Sequence, residues 1–214
     1  YGYNLFYGPL LTYAAGLLRL VCMSWPVAIN CVMTLCLVGA GLLMCYAMMR
    51  ISRKQILAAT AGVIYMAMPY FLINLYQRVA LGEVAAMVLA PLLILGLYQL
   101  VNQEEGAVRN LVLAGGGMIL THSLSTVVFV LMAAVYVLLN IKRVWNWATL
   151  KKALLAVAVV LGVTAWFWLP MLEVRATGYY GIFDAEYSDL HMGATAGMLN
   201  GRRVPIAQLI NADY

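Results

Sequence analysis

Long apolar runs separated by short polar connections dominate the chain between Val27 and Pro170. Most runs approach the ~20 residues that an α-helix needs to cross the hydrocarbon core of a membrane. The runs cover residues 27–49, 56–73, 84–101, 111–141 and 153–170. This pattern predicts an all-α fold, a polytopic bundle of transmembrane helices.

The run from Leu111 to Ile141 is too long to be one span. A single helix of this length would measure about 46 Å at 1.5 Å per residue, whereas the hydrocarbon core is ~30 Å thick. A single span would also carry the next basic connection to the wrong side of the membrane. We therefore expect two short helices that are broken near Thr121, His122 and Ser123. His122 would then lie in a depression that opens outward, because irregular backbone needs protein or water around it.

The two ends of the chain differ from this central part. Residues 1–23 are aromatic and then moderately apolar, with Pro9 early and Arg19 late, and they predict an interfacial or re-entrant helix. Beyond Pro170 charged residues become frequent. We therefore expect a transmembrane domain at 1–172, with about six spans plus the interfacial helix, and the start of an extracytoplasmic segment at 173–214.

Composition and charge support a membrane protein. Hydrophobic residues make up 65% of the chain and charged residues 10%, whereas soluble domains carry about 25% charged residues. The net charge of +5 comes from short connections, where positive-inside topology accounts for it without a nucleic-acid partner. Membrane lipids are the expected partners. The basic connections hold Arg50, Arg53, Lys54, Arg109, Lys142, Arg143, Lys151 and Lys152.

Positive-inside topology places the remaining connections on the other, extracytoplasmic side. These are residues 74–83, residue 122 and residues 173–214, and we expect them on the outside of a bacterial cytoplasmic membrane. The candidate substrate-binding residues there are Asn74, Tyr76, Arg78, Glu83 and His122. No catalytic residue is assigned, and neither a metal nor a cofactor is expected.

Arg78 and Glu83 are the most informative of these candidates. A guanidinium group near lipid tends to bind a phosphate or a carboxylate. Arg78 could therefore hold a phosphate-bearing headgroup, or it could simply form an ion pair with Glu83. His122 has two readings as well. It could bind an anionic ligand or move protons, or it could be a hydrogen-bonded residue at a helix end.

Three strings of the sequence resemble one family of bacterial multi-pass membrane proteins. They are "YFLINLYQRVALGEVAAMVLAPLLILGLYQL", "MILTHSLSTVVFVLMAAVYVLL" and "WFWLPMLE", and the opening "YGYNLFYGPLLTYAAGLL" is similar to the family's start. The family is the 6-pyruvoyl-tetrahydropterin synthase-related membrane domain. The likeness covers most of the chain. The resemblance does not imply pterin chemistry for this chain, because the sequence has no cluster of three His for a zinc site.

The family in turn resembles GT-C glycosyltransferases, which use polyprenyl-phosphate-linked sugars. This resemblance implies that Arg78 and His122 contact phosphate or sugar, with Glu83 orienting Arg78. The acidic first-loop motif of such enzymes would precede Tyr1, so we expect a fragment that lacks the N-terminal part and is itself inactive as an enzyme. Two alternatives stay open: a transporter or flippase of a lipid-linked or small anionic substrate, and a non-catalytic envelope assembly protein.

Overall fold

The computed structural model describes residues 8–22 and 24–177, and within these ranges the chain is helical and contains no strand. The all-α prediction is confirmed. The helices are α1 (Leu10–Cys22), α2 (Trp25–Ser52), α3 (Gln55–Met66), α4 (Pro69–Leu72), continued by a π-helical turn (Ile73–Gln77), α5 (Leu81–Val101), α6 (Ala107–Ile119), α7 (Ser123–Leu139), α8 (Ile141–Val144) and α9 (Trp147–Thr177).

The chain divides into two compact units, residues 1–170 and residues 171–214. Of the second unit the structure describes residues 171–177, which are helical. The expected extracytoplasmic segment at 173–214 therefore lies outside the described residues from position 178 onward, and the aromatic residues at 1–7 lie outside them too.

Three helices are long and apolar enough to cross a membrane: α2, α5 and the part of α9 from Trp147 to Glu173. A fourth span arises if α3 and the segment Pro69–Gln77, which meet at a bend of 46°, cross together. Pro69 opens α4, and Met68 before it has extended backbone, as a residue that precedes proline prefers. These helices make a polytopic bundle, while the expected count of about six spans stays a prediction.

The long apolar run at 111–141 is broken where the sequence predicts. Helix α6 ends at Ile119 and α7 begins at Ser123, so that residues 120–122 form the break. The two helices have 13 and 17 residues, which corresponds to about 20 Å and 26 Å. The short broken helices of the predicted fold are therefore present.

Helix α5 is the centre of the packing, since more than half of its residues are buried. Helix α7 has no buried residue, so its apolar side chains are partly or largely exposed. One apolar cluster joins α1, α2, the segment Pro69–Gln77 and α5. Its buried members are Ala15, Val32, Met33, Cys36, Ala40, Phe71, Leu75, Val84 and Met87.

Glycines allow two close approaches in this bundle. A Cβ at Gly62 would lie 2.7 Å from the carbonyl oxygen of Gly41, which brings the α2 and α3 backbones together. A Cβ at Gly117 would lie 2.5 Å from the Leu89 side chain, which brings α6 onto α5. Close packing through small residues is the usual way for helices to associate in lipid.

Buried amides hold the turn between α5 and α6. The Asn110 amide nitrogen donates to the Gln99 side-chain oxygen at 2.7 Å, and both residues are fully enclosed. Next to them Arg109 Nη2 lies 3.5 Å from the Tyr46 hydroxyl. The end of α2 and the start of α6 therefore meet at one end of the bundle, which is the end that carries basic residues.

The segment before α1 contacts the α6–α7 break. The backbone N–H of Leu10 donates to the carbonyl oxygen of Leu120 at 3.0 Å. Gly8 and Pro9 are buried, and a Cβ at Gly8 would overlap backbone atoms of Leu120 and Thr121. This contact supplies a partner for a carbonyl that the broken helix leaves without an intrahelical one. The interfacial or re-entrant position of α1 stays a prediction.

Candidate functional site

The site begins at the π-helical turn that links α4 to α5. The N–H of Arg78 donates to the carbonyl oxygen of Ile73, five residues earlier, at 3.0 Å. Within this turn Asn74 is fully buried, and its amide nitrogen donates to the Tyr70 carbonyl at 2.9 Å. Single π-helical turns occur frequently at functional sites because they redirect side chains that a regular helix would place elsewhere.

Arg78 and Glu83 form a two-pronged ion pair. Nη1 donates to Oε2 and Nη2 to Oε1, both at 2.9 Å. Nη1 also donates to the Asn74 Oδ1 at 2.6 Å. The hydrogen bonds to Glu83 and the negative charge of its carboxylate raise the pKa of the Arg78 guanidinium above its usual value. The pair therefore holds a permanent cation in one orientation.

Tyr70 is the fourth member of this network. Its hydroxyl donates to the Glu83 Oε2 at 3.1 Å, so this oxygen accepts from both Tyr70 and Arg78. The Arg78 side chain is 51% exposed, whereas that of Glu83 is only 18% exposed. The carboxylate is thus the enclosed partner, and the guanidinium group is the one that a ligand outside could reach.

Val79, which follows Arg78, has strained backbone. Its φ of 48° lies in the left-handed region, where a β-branched residue is a true outlier. The strained residue sits between two hydrogen bonds that close the connection, from Ala80 N–H to the Asn74 carbonyl at 2.9 Å and from Leu81 N–H to the Val79 carbonyl at 3.0 Å. Strain of this kind persists where the surroundings fix the backbone, and it is enriched at functional sites.

His122 caps the N-terminus of α7. Its Nδ1 accepts the backbone N–H of Ser125 at 3.2 Å and lies 2.8 Å from the Ser125 hydroxyl. Because Nδ1 accepts a hydrogen bond, the neutral ring that makes this cap carries its proton on Nε2. Of the two roles that the sequence allows, the helix-end role is present in the structure. The His122 side chain that makes this cap also lines the neighbouring cleft.

One cleft brings Glu83 and His122 together. It measures about 220 Å³. Its polar lining comes from Tyr70, Glu83, His122 and Ser125, and its apolar lining comes from Met87, Leu124, Val128 and Phe129. Glu83 therefore faces the cleft that His122 also lines, and its carboxylate is bonded to the guanidinium of Arg78.

The remaining predicted residues occupy different places. Asn74 and Arg78 do not line the cleft but reach it through their bonds to Tyr70 and Glu83. Tyr76 lies in a separate depression with Asn30, Thr34 and Val79. Its exposed side chain makes no hydrogen bond to any residue at 8–22 or 24–177. The structure thus groups four of the five candidates and sets Tyr76 apart.

Two cleft residues were missed from the sequence alone, Tyr70 and Ser125. Tyr70 directly follows Pro69 near the end of an apolar run, and tyrosine there is equally typical of an aromatic belt. The spacing of Ser125, three residues after His122, is the signal that could have identified it, because a capping side chain bonds to the third residue of the helix.

Metal ligands do not converge in the part of the chain that the structure describes. No group of three His, Cys, Asp or Glu side chains comes together at residues 8–22 or 24–177. The chemistry available at the cleft is therefore that of a carboxylate, an imidazole, two hydroxyl groups and a neighbouring guanidinium.

Comparison with known proteins identifies the family. The family described as the 6-pyruvoyl-tetrahydropterin synthase related domain, a membrane protein, matches residues 5–192. An uncharacterized protein of Lactococcus lactis subsp. cremoris (strain MG1363) is 26% identical over an alignment of 199 residues, which covers 88% of this chain and 32% of the relative. The chain thus spans about a third of that relative's length, and no solved structure matches it. Because the family match covers most of the chain, this membrane protein belongs to that family.

Proposed function

We propose that this member of the 6-pyruvoyl-tetrahydropterin synthase-related membrane family is part of a GT-C-like protein. It would handle polyprenyl-phosphate-linked sugars at the outer face of the bacterial cytoplasmic membrane. The observation that carries the proposal is the cleft in which Glu83 and His122 meet, with Arg78 bonded to the same carboxylate. A polyprenyl-phosphate sugar has the matching parts: hydroxyl groups beside an anionic phosphate.

The hydrogen bonds of Arg78 support a phosphate contact. A guanidinium group has five N–H donors. Those that face Glu83 and Asn74 belong to Nη1 and to one side of Nη2. Nε makes no hydrogen bond to the residues at 8–22 or 24–177, so the edge that it shares with Nη2 is available to a ligand. Two parallel donors on one edge match two phosphate oxygens.

The cleft suits the sugar rather than the phosphate. The Glu83 carboxylate is an acceptor for hydroxyl groups, and its charge would repel an anion placed inside the cleft. Met87 and Phe129 line the same space, and carbohydrate C–H faces pack against such apolar surfaces. In this arrangement Glu83 separates the two halves of the ligand, with hydroxyl groups on the His122 side and phosphate at the open edge of Arg78.

Topology supports the outer face. The connections with Arg50, Arg53 and Lys54 and with Lys142 and Arg143 carry the basic residues that stay cytoplasmic. His122 lies at the opposite end of α7 from Lys142 and Arg143, and Glu83 lies at the opposite end of α5 from the connection that leads to Arg109. Thiol labelling of intact cells provides the test. A cysteine at position 78 should react from the medium and one at position 142 should not, and equal reactivity of the two would refute the placement.

The activity test uses the full-length protein in proteoliposomes that contain polyprenyl-phosphate hexoses. Arg78→Ala should abolish sugar transfer while leaving membrane insertion intact. Arg78→Lys should also lose most of the transfer, since an ammonium group keeps the charge but not the two parallel donors. Arg50→Ala, which removes a basic residue at the other end of the bundle, is the matched control. Full transfer by Arg78→Ala would refute the phosphate contact.

A transporter or flippase is the second candidate, and one observation favours it. The chain bends by 46° between Gln55–Met66 and Pro69–Gln77, and discontinuous helices line the substrate sites of many carriers. Uptake into sealed vesicles separates the two candidates. Substrate that crosses the bilayer without transfer of sugar would favour the carrier, whereas sugar transfer on one face without uptake would favour the enzyme.

A further inference from the structure

The connection between α7 and α9 combines tryptophan with basic residues. We call residues 140–152 the Trp–Lys turn. It contains two tryptophans and no acidic residue. Its basic members are Lys142, Arg143, Lys151 and Lys152. It lies far along the chain from the Glu83–His122 cleft and takes no part in the proposed function.

An apolar cleft opens at this turn. It measures about 460 Å³ and is about twice as large as the cleft at Glu83. Its apolar lining comes from Val137, Ile141, Val144, Trp145, Trp147 and Leu150. Trp145 and Trp147 are 83% and 67% exposed, so the two rings form open walls. Indole rings prefer the headgroup level of a bilayer.

Hydrogen bonds fix the shape of the turn. The Asn146 Oδ1 accepts the Thr149 backbone N–H at 2.9 Å and thereby caps the start of α9. The Asn146 amide nitrogen donates to the Arg143 carbonyl at 2.7 Å. Both ends of this side chain are therefore used within the turn. These bonds fix the backbone between Trp145 and Trp147, the two rings that wall the cleft.

The positive charges of the turn are not neutralised by the described part of the protein. The salt bridge within residues 8–22 and 24–177 is Arg78–Glu83, so no carboxylate there lies within 4 Å of the four basic groups. Lys151 Nζ lies 5.3 Å from the centre of the Trp147 ring, a cation–π contact that keeps one ammonium group beside the cleft. The result is an apolar cleft with the Lys151 ammonium group beside its Trp147 wall and three further basic residues in the same turn.

We propose that the Trp–Lys turn binds one anionic phospholipid. The phosphate lies among the four basic side chains, and an acyl chain fills the cleft between Trp145, Trp147 and Leu150. Basic pockets between membrane helices are established binding sites for anionic headgroups. The inference rests on the membrane location of the protein and is independent of the substrate at Glu83.

The second basic connection of the chain provides the comparison. Arg50, Arg53 and Lys54 also lie between two helices, but no tryptophan lies among residues 50–54. These residues line neither the cleft at Glu83 nor the depression at Tyr76 nor the cleft at the Trp–Lys turn. General attraction of basic connections to an anionic membrane would affect both connections alike, whereas a built site predicts binding at the Trp–Lys turn alone.

Native mass spectrometry of the delipidated full-length protein tests the proposal. The probes are palmitoyl-oleoyl-phosphatidylglycerol, the matching phosphatidylcholine and inorganic phosphate. The wild type should retain one phosphatidylglycerol with at least fivefold preference over phosphatidylcholine. The combined variant Lys142→Gln, Arg143→Gln, Lys151→Gln and Lys152→Gln should lose this preference. The combined variant Arg50→Gln, Arg53→Gln and Lys54→Gln should keep it.

A second variant is needed because the loss of four positive charges can alter membrane insertion. Leu150→Trp fills the cleft without removing a charge, and it should lower phosphatidylglycerol retention at least fivefold. Unchanged retention in Leu150→Trp would overturn the proposal. Equal loss in the two charge variants would overturn it too, because it would show general attraction. Displacement of the lipid by inorganic phosphate at equal concentration would show that the apolar cleft has no part.

Discussion

Removal of the Tyr70 hydroxyl tests the role of the Glu83 carboxylate with the smallest possible change. Tyr70→Phe deletes one donor to the Glu83 Oε2 and leaves the ring in place. The two bonds from Arg78 to the carboxylate remain. The change therefore loosens the side of Glu83 that faces the cleft without removing the ion pair.

The size of the effect follows from the exposure of the bond. A hydrogen bond to a charged group contributes about 1.5–3 kcal/mol when water is excluded. Tyr70 is 55% exposed, so water can replace part of the lost bond, and we expect a loss of about 0.5–1 kcal/mol. If the loss falls on the transition state, transfer slows by a factor of about 2–5.

The assay is sugar transfer by the full-length protein in proteoliposomes, with Tyr76→Phe as the matched control. Tyr76 belongs to the same segment, Pro69–Gln77, but lines the other depression. Tyr70→Phe should reduce transfer and Tyr76→Phe should not. Full transfer activity of Tyr70→Phe would refute the view that Tyr70 orients Glu83. An equal loss of activity in Tyr70→Phe and Tyr76→Phe would refute the separation of the two depressions.

Three further predictions concern stability, each measured by denaturant unfolding of the full-length protein in micelles. Asn74→Ala should destabilise it by about 1–3 kcal/mol, because the buried amide bonds to Tyr70 and Arg78; a change under 0.5 kcal/mol would contradict this. Val79→Gly should stabilise it by about 0.5–1 kcal/mol, since relief of left-handed strain exceeds the entropic cost of glycine; destabilisation would show that the valine side chain matters more. Gly8→Ala should destabilise it by about 1–3 kcal/mol through overlap with Leu120, and an unchanged midpoint would show that the contact yields freely.

The helix pattern was predictable because membrane spans leave long uninterrupted apolar runs. The break at His122 followed from the length of the run at 111–141 and from the basic connection that follows it, and the structure divides the run at residues 120–122. The family resemblance was confirmed by the match over residues 5–192. Length, hydrophobicity and quoted strings of sequence were sufficient for these conclusions.

The geometry of the site was less accessible, because it depends on a local irregularity. A regular helix through residues 73–77 would orient Asn74 and Arg78 differently. No pattern in the sequence predicts a π-helical turn there. Tyr70 became part of the site only through the bend after Met66. The buried Gln99–Asn110 pair likewise joins two helices, and an apolar pattern cannot reveal such a partnership.

The contact of Leu10 with Leu120 has a consequence for how the protein is made. Translation produces residues 8–10 before α6 and α7. The Leu10 N–H therefore has no access to the Leu120 carbonyl until more than a hundred further residues have been inserted. The wall of the cleft that contains His122 is therefore completed late in biogenesis. A nascent chain halted before residue 120 would leave the Leu10 N–H without this hydrogen-bond acceptor.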